Sequence, residues 1–514
     1  MSAGPTRHGS GSPGVVVIGA GPNGLVAALR LAAAGRRVTV VERREVLGGL
    51  AAGEEFWPGY RSAGVLHDTA GLRPRIVTAL GLERHGLAWR QRPPVAVARA
   101  GREPARLNEG LDGGEPLAGW RRAIDELRPF LDRLQERPPP AMQLAGAADF
   151  LRLGLEGLAL RRLGRRRGRE LLRVLPMPSH DWLSEWFEDG DVAGAVAAPG
   201  LLGGFVGPRA PGTAGVLLLQ ESGTHRNGVA REVVGGPAGL IAALVGAARA
   251  ANIELRTGAE VVAIEVEAGA VRGVRLASGE ELAATAVAAS CDPTTALLGL
   301  LPPGTLGLAD ERRLRAYRSR GTVAKMHLAL SGTPQPAAAG GEPAELVRLG
   351  SLEELERASD AVKYGGLPAA PTLEMRLPSL SDPALAPPGH QVASVLIDFV
   401  PGEPVGGWTG ELRERLEAAV MVRLEVAAPG IGGMVVGSEL LTPPDLAERY
   451  GTTGGHLFHG EMALDQMLSL RPAVCAGRYR TPVGGLFVAG GGSHPGGGIS
   501  GLPGWLAADA MLAG

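Results

Sequence analysis

The hydrophobic pattern is sharpest at the two ends of the chain. Residues 15–18, VVVI, form a continuous apolar run closed by Gly19, as expected of a strand buried on both faces. Residues 22–34, PNGLVAALRLAAA, carry apolar positions at helical spacing among strong helix formers, and Gly35 supplies a stop. Residues 37–42, RVTVVE, are rich in β-branched side chains and predict a second strand. Strand, glycine turn, helix and strand within about thirty residues make a βαβ unit. At the other end, 486–489 predict a strand, 490–498 a glycine-rich turn and 499–512 a closing helix.

Between these ends the pattern alternates. Helices are predicted over 119–136, 147–173, 238–250 and 409–427. Strands are predicted over 252–256, 259–267, 270–276, 281–289, 323–330 and 391–400. Residues 80–230 are otherwise irregular, with proline clusters at 93–94 and 138–140, and 332–345 read as a loop. The expected fold class is α/β. A Rossmann-like nucleotide domain is assembled from 15–79, 230–300 and 475–514, and an α+β substrate domain from 80–229 and 301–474 is inserted in it. Residues 1–14, rich in Gly, Ser and Pro, read as a disordered tail.

Composition narrows the function classes. The 514 residues suit two domains, and a formal net charge of -1 provides no basic field for nucleic acid. Two widely separated cysteines, Cys291 and Cys475, argue against a disulfide framework, a zinc site and a dithiol redox pair, and read as small buried apolar residues. The N-terminal stretch lacks the apolar run of a secretory signal, and no apolar stretch reaches membrane-span length. The expected setting is the reducing cytoplasm.

The chemistry lies in the glycine turns. Gly19-Ala20-Gly21-Pro22-Asn23-Gly24 matches G-x-G-x-x-G, follows a strand, opens a helix, and precedes an acid, Glu42, at the end of the next strand. Gly19 permits the tight turn, Gly21 admits a pyrophosphate to the backbone, and Gly24 lets helix and strand pack closely. The helix N-terminus favours phosphate charge. Glu42 accepts hydrogen bonds from ribose hydroxyls and repels a 2′-phosphate, which argues against NADP. Arg43-Arg44 and a second glycine pair, Gly48-Gly49 before Leu50, follow the acid, which is not the pattern of an NAD dehydrogenase. The turn from Ser493 to Gly501 opens a helix whose amides are placed to face a flavin ring and stabilise charge on it when reduced. Together these point to FAD. Val234-Gly235-Gly236-Pro237-Ala238-Gly239 lacks a buried strand before it and a closing acid after it, so no second nucleotide site is expected.

Three stretches carry a family resemblance: VVVIGAGPNGLVAALRLAAAGRRVTVVERREVLGG, GGHLFHGEMALDQMLSLRP and GGLFVAGGGSHPGGGISGLPGWLAADAML. The chain resembles the bacterial phytoene-desaturase type of FAD-dependent oxidoreductases over nearly its whole length, and the stretch at 454–472 narrows the likeness to one subgroup. The resemblance implies FAD held by Gly19, Gly21, Pro22, Asn23, Gly24, Glu42, Arg43, Gly49 and Leu50. It also implies an adenine contact from the backbone near Val262 and flavin contacts near Gly490, Pro495, Gly497, Gly498 and Ile499.

Flavin chemistry requires neither a triad nor a metal. His494, in the flavin-proximal turn, suits either an acid or base near the substrate or a ring that simply satisfies backbone carbonyls. His456, His459 and Glu461 have the spacing of a metal site but read better as a packed segment near the flavin, so no metal is expected. His67 with Asp68 and His225 with Arg226 are further candidates. Trp182, Trp186 and Phe187 suit either a substrate pocket or the core. The run Arg161, Arg162, Arg165, Arg166, Arg167 and Arg169 suits either a solvated helix face or a peripheral membrane contact. The leading expectation is a dehydrogenase or desaturase acting on a small, largely apolar molecule. A redox-neutral flavin isomerase and a flavoprotein with a binding or regulatory role are the alternatives.

Overall fold

Valine-rich β1 (Gly14–Ile18) runs parallel to β2 (Val38–Val41) on one side and to the strand Glu281–Ala289 on the other, placing Val16 between Thr39 and Val287. The structure, a computed structural model, describes residues 14–107, 114–142, 146–226, 229–335 and 344–514. Residues 1–13 of the expected tail and 336–343 of the expected loop lie outside these, and Gly14 opens β1.

Helix α1 (Pro22–Ala33) connects β1 to β2. The strand Glu254–Arg256 extends the sheet beyond β2, and Leu486–Val488 lies parallel to the far side of Glu281–Ala289. That last strand divides its length: Glu281, Leu282 and Ala283 pair antiparallel with Ala270–Leu276, while Ala284 and the residues beyond Thr285 pair with β1. One seven-stranded sheet thus draws strands from the start, middle and end of the chain. Helices α1, Gly236–Ala250 and Leu502–Leu512 cover one face through Leu25, Leu29, Leu240, Leu244, Leu502 and Leu506.

A second seven-stranded sheet runs in the order 435–441, 323–330, 391–398, 372–376, 346–349, 95–97 and 105–107. Its pairs are antiparallel except 346–349 with 95–97. The helix Gly410–Ala427 seals one face through Leu416, Val420 and Leu424 against Met326, Leu328 and Val395. Trp182 and Phe187 pack against Trp120 in the core over the opposite face.

Two readings need correction. The helix expected over 147–173 is two helices, Ala147–Arg162 and Gly164–Val174, separated where Gly164 takes a φ of +79°. Strands 95–97 and 105–107 lie in the stretch read as irregular; each has only three residues, too few for an alternation to show.

Candidate active site

The turn between β1 and α1 is built for an anion. Gly19 sits at φ +94°, and a Cβ on Gly24 would lie 2.0 Å from the Gly19 carbonyl oxygen, so only glycine allows the helix to start this close to the strand. A Cβ on Gly21 would meet nothing within 4 Å. The space before the helix N-terminus is therefore an open cradle of the kind a pyrophosphate fills. Glu42 is buried, and its carboxylate accepts from the backbone N–H of Ala20 at 2.9 Å and of Arg44 at 3.0 Å. Those bonds fix the acid at the cleft edge.

The cleft has a volume of about 310 Å³ and takes its walls from Gly19, Gly21, Pro22, Asn23, Glu42, Arg43, Gly49, Leu50, Gly497, Gly498 and Ile499. The first turn, the second glycine pair and the C-terminal turn therefore meet in one place. Arg43 donates to the carbonyls of Glu448 (2.6 Å) and Arg449 (2.8 Å), tying the helix Pro443–Tyr450 to the cleft. Gly24, Val262, Gly490 and Pro495 are not among the lining residues, and Gly24 acts through packing as described. The Val262 side chain is exposed, while its neighbours Ala259, Glu260 and Val261 bring the chain near it to the cleft wall. Gly490 is packing: a Cβ there would lie 2.5 Å from the Ser290 carbonyl oxygen. Pro495 lines a neighbouring cavity.

That second cavity, about 150 Å³, has Phe458, Gly497, Gly498 and Ile499 in common with the cofactor cleft. Leu134, Leu202, Leu219, Met462, Met467 and Leu468 make its lining largely apolar; Asp68, Arg92, Gln135 and Glu221 add polar groups. His494 faces it, fully buried. Burial pushes the His494 imidazole down to about 4, against the opposing pull of the Leu134, Arg137 and Gln135 carbonyls, and neither ring nitrogen completes a hydrogen bond among the described residues. A neutral imidazole at physiological pH is therefore available on the wall beside the cofactor cleft.

Sequence reasoning missed the residues that hold this region together. Arg471 is fully buried and donates to the carbonyls of Phe458 (2.9 Å), Gly460 (3.1 Å), Glu461 (3.0 Å) and Gly491 (2.9 Å). It clamps the 456–471 segment onto the C-terminal turn. Asp292 accepts from the Thr295 hydroxyl at 2.6 Å and the Thr453 hydroxyl at 2.7 Å, joining the first sheet to the turn just before that segment. A buried charged seam lies where His67 meets the second sheet. Lys325 touches His67, whose other ring nitrogen faces Glu374 at 3.2 Å, and Glu374 accepts from Arg348 at 2.8 Å. Burial, then Lys325, pushes His67 down to about 3.

The other candidates have structural partners. His456 accepts from the Phe458 amide through Nδ1 at 3.0 Å and has Nε2 2.7 Å from the Gly203 carbonyl, while Glu461 pairs with Arg318 and Arg320. His459 lines the cofactor cleft. Among the described residues no group of three or more His, Cys, Asp or Glu is placed to hold a metal. The side chains of His225 and Arg226 lie outside the described residues. Cys291, read as buried, is half-buried and lines the cleft; Cys475 is also half-buried, and both are free thiols.

A glycine cradle, a buried ribose-side acid, a second glycine pair and a C-terminal turn closing one elongated cleft define a Rossmann-type flavoprotein oxidoreductase that binds FAD. The family model for the NAD(P)-binding Rossmann-like domain matches residues 17–73. The chain is 33% identical to pyridine nucleotide-disulfide oxidoreductase domain-containing protein 2 of Rattus norvegicus, over 96% of this chain and 92% of that protein, and belongs to its family. It is 26% identical to the lycopene-forming phytoene desaturase of a Paracoccus species, with 98% of each chain covered. Cyclohexylamine oxidase from Brevibacterium oxydans has the same fold, with a TM-score of 0.58 at 18% identity over 98% of each chain. The chain is an FAD-dependent oxidoreductase.

Proposed function

We propose that this enzyme is a dehydrogenase or desaturase that takes a hydride from a largely apolar small molecule bound in the second cavity. The observation that carries the reading is the wall common to the two cavities, Phe458 and Gly497–Ile499: the glycines leave the cofactor cleft open toward an apolar chamber. FAD supplies the hydride acceptor; the protein orients the substrate and excludes water. Loss of hydride from one carbon and of a proton from its neighbour leaves a carbon–carbon double bond, and the two electrons pass on to an external quinone or dioxygen. His494, neutral and on the chamber wall, accepts the proton. Asp68, held below the usual carboxylate range by Arg92 against the larger opposing effect of burial, keeps one end of the chamber polar and orients the substrate.

Anaerobic addition of candidate apolar substrates to the purified holoenzyme tests this. Bleaching of the oxidised flavin spectrum by a substrate, with an unsaturated product, supports the reading. Turnover only after chemical prereduction, with no net oxidation, overturns it in favour of isomerisation.

A further inference from the structure

The helix Ala147–Arg162 is amphipathic in the wrong sense for a globular surface. Phe150 and Leu151 are 60% and 67% exposed, and Leu153, Leu155 and Leu158 are also exposed. Leu151, Leu155, Leu158 and Arg162 recur at i, i+4, i+7 and i+11, so they form one stripe along the outer face. The inner face is held by ion pairs, Glu156 with Arg133 at 2.7 Å and Asp149 with Arg478 at 3.5 Å, and by Leu160 packed against the core. The helix is thus anchored by this mixed inner face and presents the stripe of Leu151, Leu155 and Leu158 outward. A contiguous exposed apolar patch of this kind marks an interaction surface.

The following helix, Gly164–Val174, fixes what that surface meets. Leu171 and Val174 bury its inner side. Outside it carries Arg165, Arg166 and Arg169, and these with Arg161 and Arg162 have no carboxylate partner among the described residues. Leu172, 63% exposed, lies at i+7 from Arg165 on the same side. Leucine and phenylalanine flanked by unpaired arginines is the chemistry of an anionic lipid interface: the apolar stripe enters the acyl boundary and the guanidinium groups meet lipid phosphates.

The surface also adjoins the apolar chamber. Arg133 precedes Leu134 and Gln135, which line that chamber, and the Pro140 carbonyl accepts from Ser469, beside the chamber residue Leu468. Met142 and Leu470 are exposed there.

We infer that this chain docks peripherally on anionic membranes through residues 150–172, setting the mouth of the chamber against the lipid. Among the described residues no helix is long and apolar enough to cross a membrane, so the attachment is superficial. Docking is read without turnover and stands apart from the reaction proposed above.

The test is co-sedimentation of full-length holoenzyme with vesicles of phosphatidylcholine alone or with about a quarter phosphatidylglycerol. The expected result is binding to the anionic vesicles only, weakened about tenfold by roughly 0.5 M salt. The double variant Leu151→Asp, Leu155→Asp should lose binding about tenfold or more with its flavin spectrum unchanged. If that variant does not fold, the surface variant Arg165→Gln, Arg166→Gln should lose about tenfold. Absence of partition onto anionic vesicles at low salt overturns the inference. So does a lipid-free dimer in analytical ultracentrifugation that the leucine variants dissociate, since the face would then be sealed by a second copy.

Discussion

The guanidinium of Arg471 donates twice to the carbonyl of Gly491, from Nη2 at 2.9 Å and Nε at 3.2 Å. Gly491 lies at the start of the C-terminal turn and lines the cofactor cleft, while Arg471 reaches it from the segment that supplies Phe458, the residue between the two cavities. Burial lowers the Arg471 pKa without a carboxylate partner. The charge is satisfied by carbonyl dipoles and the Tyr317 ring, and among the described residues the Phe458, Gly460 and Gly491 carbonyls have no other side-chain donor if it is removed.

Arg471→Met should therefore destabilise the fold by about 3 kcal/mol or more, because several buried carbonyls lose their donor at once. Urea unfolding of the holoenzyme reads this. A loss below about 1 kcal/mol would show that the clamp is redundant.

Gly24→Ala and Glu42→Ala separate packing from ligand binding. The first places a methyl group 2.0 Å from the Gly19 carbonyl oxygen and should disrupt the βαβ unit, lowering soluble yield and stability together. The second leaves the buried Ala20 amide without its acceptor, costing about 1–3 kcal/mol, and removes the ribose-side carboxylate. Its FAD affinity should fall further than its stability, measured by fluorescence titration beside thermal melting.

Acid should weaken the protein before it affects an average domain. Burial holds His456 at about 3 and His494 at about 4, below the usual value of about 6.5 in the unfolded chain. Between those values the unfolded chain binds protons that the folded one does not, so stability rises with pH through this window and is complete above about 6.5. Each histidine adds a slope of up to about 1.4 kcal/mol per pH unit. The urea midpoint should drop from about pH 7 to about pH 5, and less so in His494→Asn. A flat midpoint contradicts the assignment of neutral buried rings.

His494→Asn should also retain FAD and lose about 10²–10⁴-fold in the rate of flavin reduction by substrate, the usual span for a proton-transfer group. Stopped-flow reduction under anaerobic conditions measures it. An unchanged rate would assign the proton to another group.

The βαβ unit was legible because its determinants are local: an apolar run, a glycine turn and an acid within one short segment. The C-terminal turn was legible for the same reason. Arg471, Asp292 and Lys325 were not, because each acquires its meaning from partners far away in sequence, such as Gly491, Thr453 and His67. The surroundings of the expected adenine contact show how finely a strand sorts its side chains. In a strand, neighbouring side chains point to opposite faces, so Val261 lines the cleft while Val262 is exposed. The short strands 95–97 and 105–107 join a sheet whose other members lie hundreds of residues later, and no local periodicity announces such pairing.

The central claim is that the cradle at residues 19–24 holds the FAD pyrophosphate. Gly21→Ala tests it most directly, since the added methyl group would meet no protein atom within 4 Å. Calorimetric titration of the stripped wild-type and variant chains with FAD should show tight binding to the first and at least about tenfold weaker binding to the second, at equal melting temperature of the stripped proteins. Equal FAD affinity in the two, or a wild-type chain that binds no FAD, would contradict the account.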